Sequence, residues 1–423
     1  MEVGILFLFL VFSSYHPPGL VLFSVFMAPD KSPQKRAWVT LLTRSSYLPG
    51  VITLAHSLSL HSTQYPLIVL VTPSLPQSSL RALELESKHN HLLIVQSIDP
   101  LLPPANQKTT LIAARFEDTW TKLRAFELTS YETCVFLDAD ITVYHNMDEV
   151  FDIQLPGRDW IGANHTCVCN LDHDPWAPDN WERENCAWTP LRHPSSMTSA
   201  TPVPKSAAPP DTYALLNGGL FLYHPSHSLW DTLHSHFLNS KELPIYQFPD
   251  QDFLASFFLT KWQPLPWKYN ALKTMRAWHP NIWRDDEVMG LHYIVDKPWE
   301  RRVASDGIGG HLGRDGETHK WWWGVWDDWR RRRDGDLVDI MDGLVAKPLH
   351  EEGDQKQCEE NKEKGLPVPV PSVATEDGTD GHGGGAEKDA SDQRRNTNGV
   401  NGSCLEFPVL RKPRLGEQGT CCL

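Results

Sequence analysis

Asp138 and Asp140 stand one residue apart at the end of the apolar run Cys134-Val135-Phe136-Leu137, and no other pair in the chain suggests chemistry as directly. Side chains alternate faces along a strand, so the two carboxylates are expected to point the same way at its end. Like charges held that close are costly unless a cation lies between them. Carboxylate oxygens are hard ligands that suit Mg²⁺ or Mn²⁺, and such ions are usually shared with a phosphate-bearing substrate. The same residues also fit a plain turn or helix start, where aspartate is common. A bare Asp-x-Asp is a weak signal, so the elements around it must decide.

The 423 residues can hold one large domain or two ordinary ones. A net charge of -14 argues against a nucleic-acid partner, because a phosphate backbone needs a basic face. The run Arg330 to Arg333 follows Asp327 and Asp328 and precedes Asp334, which fits a solvated helix end. Eight cysteines are scattered along the chain, as expected for free thiols in a reducing compartment. Cys167-x-Cys169, with Cys186 and nearby histidines, has the ligand types for zinc but matches no standard spacing.

Two apolar runs, Val3 to Phe12 and Gly19 to Met27, flank a break at Pro17 and Pro18. Residues 1–35 fit a membrane anchor through residues 3–27, a divergent signal, or an extension ahead of a start at Met27. Lys31, Lys35 and Arg36 follow these runs, and by the positive-inside tendency they keep the main domain cytoplasmic.

From Arg36 the pattern becomes regular. Ala37 to Leu42, Leu67 to Val71 and Leu92 to Val95 read as buried strands. Between them, Val51, Leu54, Ala55 and Leu58, then Leu80 and Leu83, fall at helical spacing. Such alternation predicts an α/β domain with a central, mostly parallel sheet flanked by helices. Its ligand site lies beyond the C-terminal strand ends, where Thr43, Arg44 and Tyr47 follow the first strand. Thr121 to Tyr131 reads as a helix carrying Lys122 near its start, and Met147, Val150 and Phe151 continue the fold. The stretch 164–211 turns irregular, rich in Pro, Trp and Cys, as a functional or mobile insertion would be. Asn217-Gly218-Gly219 interrupts the apolar stretch Leu215 to Tyr223, marking either a bulge or a close approach to ligand. Asp250-Gln251-Asp252 opens a helix, and His292 to Trp299 follows a further apolar stretch. The segment Trp321 to Trp326 either covers a core edge or stacks sugar rings. Residues 346–423 have the composition of a disordered tail, ending in a cysteine pair, Cys421-Cys422, that is similar to double-cysteine lipidation signals.

Over about Arg36 to Trp299 the chain resembles the family 8 glycosyltransferases, the group containing glycogenins and galactinol synthases. Thr121-Lys122-Leu123 with Val135 to Asp140 is similar to that family's Lys-Leu and Asp-x-Asp block. Asn217 to Phe221, Asp250-Gln251-Asp252-Phe253-Leu254, and His292 with Lys297-Pro298-Trp299 match later blocks in the same order. The Asp250 block, Tyr269-Asn270 and Trp278-His279-Pro280 resemble galactinol synthases more than glycogenins. Three positions depart from the pattern. Tyr293-Ile294-Val295-Asp296 has no glycine where backbone usually approaches the diphosphate, and Asp296 there would repel it. Gln247 stands where glycogenins carry a carboxylate, and Arg44 replaces an Asn near the nucleotide base.

The resemblance implies a GT-A type nucleotide-sugar-binding fold over residues 36–345, a UDP-hexose donor, Mn²⁺ (Mg²⁺ also suits) and retention of anomeric configuration. It implies Asp138, Asp140 and His292 as metal ligands, with Lys297 on the diphosphate. Lys122 and Arg115 would hold phosphate or donor sugar, and Asn217, Gly218, Asp250 and Gln251 the sugar near its anomeric carbon. Leu41, Thr43, Tyr47 and Ala139 complete the donor site, and Asp250, Gln251 and Lys122 are the catalytic candidates. The acceptor implied is a small polyol or saccharide, walled by the Trp-rich segments Trp176 to Trp188 and Trp321 to Trp329. The competing readings are self-glucosylation of the glycogenin kind and a binding protein that kept the fold without turnover.

Overall fold

The computed structural model describes residues 35–104, 118–198 and 211–347. The apolar runs of residues 3–27, Arg115, the later part of the insertion and the tail with its terminal cysteines lie outside the described residues. Three parallel strands, β1 (Arg36–Leu42), β2 (Leu67–Val71) and β3 (Leu93–Ser97), alternate with helices α1 (Leu48–Leu60) and α2 (Gln77–His89). Every residue of β2 is buried, which explains its unbroken Leu-Ile-Val-Leu-Val: both faces are covered, so no polar alternation survives.

Next come β4 (Thr133–Leu137), β5 (Ile141–Val143), β6 (Ile161–His165) and β7 (Leu216–Tyr223), then helices α3 (His227–Asn239) and α4 (Pro249–Phe257). The Ser226 side chain caps α3 by accepting from the Leu229 amide at 3.2 Å. Short elements follow: β8 (Trp262–Pro264), β9 (Ala271–Leu272), α5 (Met275–Trp278) and β10 (Gly290–His292). Two helices, α6 (Gly316–Arg331) and α7 (Gly335–Asp342), end the described chain.

The main sheet runs β3-β2-β1-β4-β7-β6-β8, with β7 antiparallel to both neighbours and the other pairings parallel. The expected mostly parallel α/β architecture is therefore present. Strand order reverses between β1 and β4, and a crevice opens there beyond their C-terminal ends. A second sheet, β5-β10-β9, lies across that opening and brings residues near 292 to residues near 140. One core packs α1, α2, α6 and the small sheet on one face of the main sheet; the other packs Trp120, Phe126, Phe136 and Phe221 with α3 and α4.

Four sequence expectations need correction. Residues 119–127 form a 3-10 helix in place of an α-helix over Thr121 to Tyr131. Trp120, Leu123 and Phe126 recur every third residue, the repeat that lines up one buried stripe in a 3-10 helix. The third strand sits one to two residues later than Leu92 to Val95. Arg330, Arg331 and Arg332 are solvated and paired with Asp342 or Asp328, but Arg333 is half-buried, paired with the buried Glu86 at 2.8 Å. Trp322, Trp323, Trp326 and Trp329 of α6 are buried, with Trp322 and Trp326 stacked 5.5 Å apart, so this helix covers a core edge and builds no sugar wall. No helix of the described residues is long and apolar enough to cross a membrane.

Candidate active site

The acidic pair is held by a turn. β4 ends at Leu137, the Ile141 amide donates to the Asp138 carbonyl at 3.0 Å, and β5 begins at once. The two carboxylates do converge, but through this turn and not through strand alternation. Gly50 in the first turn of α1 makes room for it: a Cβ there would lie 2.2 Å from the Ala139 carbonyl oxygen. On the other side the Asp138 amide donates to the Gly219 carbonyl at 2.8 Å.

β7 carries a register shift against β6 between Ala163 and Asn164, which lets Gly218 and Gly219 swing toward the crevice. A Cβ at Gly219 would fall 2.3 Å from His292 Cε1, so only glycine admits the imidazole there. The glycine pair thus sits at an irregularity of the strand, and the close approach that it permits is to the His292 imidazole. His292 arrives on β10, whose register pairs it with Ile141. Asn270 Nδ2 donates to Asn217 Oδ1 at 2.9 Å, so Asn270 Oδ1 is left to accept from His292 Nδ1–H at 3.0 Å. That fixes the tautomer and turns Nε2 toward the carboxylates, 3.3 Å from Asp140 and 3.9 Å from Asp138.

Two lysines balance the acids. Lys122 Nζ bridges Asp138 at 2.8 Å and Asp250 at 2.5 Å, and donates to the Gly218 carbonyl at 3.2 Å. Lys297 Nζ lies 2.5 Å from Asp140 and donates to the Tyr293 carbonyl at 2.9 Å. Burial disfavours charge on Lys122, but Asp138 and Asp250 outweigh it and hold the ammonium on. Burial would likewise raise Asp140, yet Lys297 and His292 keep its carboxyl well below the usual range. Asp138 goes the other way, pushed up by burial and by Asp140 despite Lys122. Gln251 Oε1 accepts from the Gly218 amide at 3.2 Å and from Asn217 Nδ2 at 3.3 Å, which docks the start of α4 on β7.

These groups line a cleft of about 390 Å³. Leu41, Thr43, Tyr47, Lys122, Asp138, Ala139, Asp140, Asn217, Gly218, Asp250, Gln251, His292 and Lys297 all face it. Arg115 lies outside the described residues. Residues 38–302 match the family model described as Glycosyl transferase family 8, well over half of the chain. The chain belongs to this family of glycosyltransferases, and its architecture is of the GT-A type. Galactinol synthase 2 of Arabidopsis thaliana is 30% identical over 302 residues, covering 70% of this chain and 82% of the relative. Galactinol synthase 1 of Solanum lycopersicum is 29% identical over 299 residues, covering 69% and 82%. Among solved structures, the galactosyltransferase LgtC in complex with donor and acceptor sugar analogs is similar at 17% identity and a TM-score of 0.45, covering 70% of this chain and all of that one. GlyE of Streptococcus pneumoniae TIGR4 gives 18% and 0.44, covering 75% and 66%.

The departures from the family pattern now have physical content. Val295 takes φ +68°, the left-handed conformation that glycine adopts without cost. Asp296 does not stand free to repel a diphosphate. Lys273 Nζ lies 2.5 Å from it, the His311 amide donates to it at 3.0 Å, and Lys273 more than offsets burial to keep it ionised. Arg44 pairs with Asp118 at 2.6 Å on the cleft rim. Of the two Trp-rich segments, only the first reaches the cleft, where Trp176, Trp181 and Phe248 form an aromatic wall. Sequence reading missed Asn270 as the residue that orients His292, and Lys273 as the partner of Asp296. Both follow from pairings across β9 and β10 that no local pattern announces.

Proposed function

We propose that the enzyme moves a hexose from a UDP-sugar to a small polyol or saccharide, with retention of anomeric configuration and with Mn²⁺, or Mg²⁺, at the acidic pair. The observation that supports this most is the convergence of Asp138, Asp140 and His292, whose ligand atoms lie within 4.8 Å of one another on the cleft wall. Two carboxylates and an oriented imidazole are a donor set that suits Mn²⁺. The cation, when bound, supplies Lewis-acid stabilisation of the charge that builds on a departing nucleoside diphosphate.

The chain's own residues do the rest. With their carboxylates ionised, Asp138, Asp140 and Asp250 against Lys122 and Lys297 leave one net negative charge in this cluster, which a divalent cation would turn locally positive. Without that reversal a diphosphate would be repelled. Lys297 would then offset charge on the diphosphate, while Lys122 holds Asp138 and Asp250 in fixed relation. Asp250, Gln251 and Asn217 face the cleft beside the acidic turn and would hold the sugar ring, and Tyr47 would flank the nucleotide. For the acceptor, the aromatic wall suits the C–H face of a ring polyol or sugar. The galactinol synthase relatives and Gln247, in place of a carboxylate, support a diffusible acceptor over self-glucosylation. Free thiols at the described cysteines fit a reducing, cytoplasmic compartment.

The test is to supply labelled UDP-galactose or UDP-glucose with Mn²⁺, with and without a panel of inositols and disaccharides. The expected result is UDP release with label on one acceptor of the panel. Label on the protein alone would favour the self-glucosylating reading, and no UDP release from either donor would overturn the assignment.

A further inference from the structure

Outside the cleft chemistry, the described residues contain two more clusters of metal-ligating side chains. Asp296, Asp315 and His319 surround Lys273, whose Nζ lies 2.5, 3.0 and 3.3 Å from them, so that cluster already holds its cation. The other cluster is Cys167, Cys169, Cys186 and His279. All four are buried, and His279 and Cys186 are fully so.

Three sulfurs converge on one nitrogen. His279 Nε2 is 3.2 Å from Cys167 Sγ, 3.3 Å from Cys169 Sγ and 3.6 Å from Cys186 Sγ, and Cys186 Sγ is 3.9 Å from Cys167 Sγ. The thiols are free, and 3.9 Å is far beyond a disulfide bond of about 2.05 Å. Hydrogen bonding does not explain the arrangement either. One ring nitrogen shares a single proton, so it satisfies one sulfur and leaves two lone-pair-rich neighbours pressed against it. A tetrahedral zinc ion does explain it. Zinc–sulfur bonds of about 2.3 Å and a zinc–nitrogen bond of about 2.0 Å set edges of about 3.5 Å from sulfur to nitrogen and about 3.8 Å between sulfurs. The 3.6 Å separation of Cys186 from His279 and the 3.9 Å separation of Cys186 from Cys167 lie within about 0.1 Å of these edges, and the 3.2 and 3.3 Å separations lie about 0.2 to 0.3 Å inside the first, a contraction that a small shift of the ring relieves.

We propose that Cys167, Cys169, Cys186 and His279 form a structural zinc site of the three-cysteine, one-histidine type. The three thiols give up their protons to solvent on binding, and the imidazole binds neutral through Nε2. His279 Nδ1 finds no acceptor among the described residues, so packing and the sulfurs orient the ring. Four protein ligands close the coordination shell, which leaves no position for substrate and makes the site structural. Its place in the fold gives it a task. Cys167 and Cys169 follow β6, Cys186 lies deep in the irregular insertion, and His279 follows α5. Direct bonds already link the same segments: Arg183 donates to the Trp278 carbonyl at 2.7 Å, and the His193 amide to the Asn281 carbonyl at 2.9 Å. The zinc would pin the insertion that carries Trp176 and Trp181, and so set the acceptor side of the cleft. Unlike the acidic pair, its soft thiolates select zinc over Mn²⁺.

The experiment is metal analysis of the full chain, purified under reducing conditions and dialysed against a mild chelator that strips the carboxylate site. About one zinc per chain is expected to remain. Cobalt(II) exchanged into the site should give the intense visible bands of tetrahedral cobalt, with thiolate charge transfer in the near ultraviolet. Cys186→Ser and His279→Ala should each lose most of the zinc. Because either variant can fail to fold, the wild-type measurements stand alone. Absence of zinc together with no tetrahedral cobalt spectrum would overturn the proposal. So would iron in place of zinc, or a Cys167–Cys186 disulfide in the unreduced protein.

Discussion

Lys273 is fully buried yet charged chemistry surrounds it, with Asp296, Asp315 and His319 as partners. His319 must stay neutral to accept from the ammonium; burial and Lys273 together lower its pKa to about 4. The unfolded chain takes up a proton on this histidine near pH 6.5, whereas the folded chain refuses it until about pH 4. Stability is therefore complete above pH 6.5 and falls as pH falls through that window, by up to about 1.4 kcal/mol per pH unit. His319→Gln keeps an acceptor for Lys273 and removes the titration. Urea melts at pH 7 and pH 5 should show a smaller loss in the variant than in the wild type; equal losses would refute this role. At the cleft, Asp140→Asn should cut turnover at least about a hundredfold, as when one group at a developing charge is removed. The check is steady-state UDP release by folded variant protein, and full wild-type activity in excess EDTA would contradict the metal assignment outright.

At the scale of elements, the acidic turn works because two glycines let neighbours approach it. Gly219→Ala should displace His292 from Asp140 and weaken Mn²⁺ binding by about 10- to 100-fold, the usual effect of disturbing an outer-shell contact. Paramagnetic resonance of free Mn²⁺ measures this directly, and unchanged affinity would mean His292 is not a ligand. The sequence exposed these positions unevenly. Runs such as Leu67 to Val71 identify themselves, since a strand buried on both faces has no other composition. Asp138, Lys122, Asp250 and His292 were legible through motif order. Their mutual geometry was not, because it depends on a turn after β4, a bulge in β7 and a second sheet that pairs β10 with β5. The 3-10 helix at residues 119–127 escaped for a related reason: a three-residue apolar repeat fits an α-helical stripe almost as well. Cys167-x-Cys169 raised zinc without its fourth ligand, since His279 lies 110 residues from Cys169.

For the whole molecule, the question is where the catalytic unit ends. α7 packs on α2 and Glu86 takes Arg333, so the C-terminal helices close the core that supports β1 and α1. The boundary expected near Val345 falls slightly short. Leu344, Val345 and Ala346 pack against that core, and the Ala346 amide donates to the Trp299 carbonyl at 2.9 Å. Trp299 in turn donates to the Ser46 carbonyl at 3.0 Å and lies next to Gly50, so the last described residues brace the loop ahead of α1. Beyond Lys347 the sequence is rich in Gly, Glu, Asp, Lys and Asn with little aromatic content, a composition too polar to build a core. A chain ending at Lys347 should therefore fold with an unchanged melting temperature and retain UDP-sugar hydrolysis. One ending at Asp342 removes three partly buried apolar side chains and the Ala346 bond, and should lose on the order of 2–3 kcal/mol. Thermal melts and donor hydrolysis on the pair measure both effects. Loss of folded protein in the longer chain would show that the tail packs on the domain, and equal stability of the two would remove the brace.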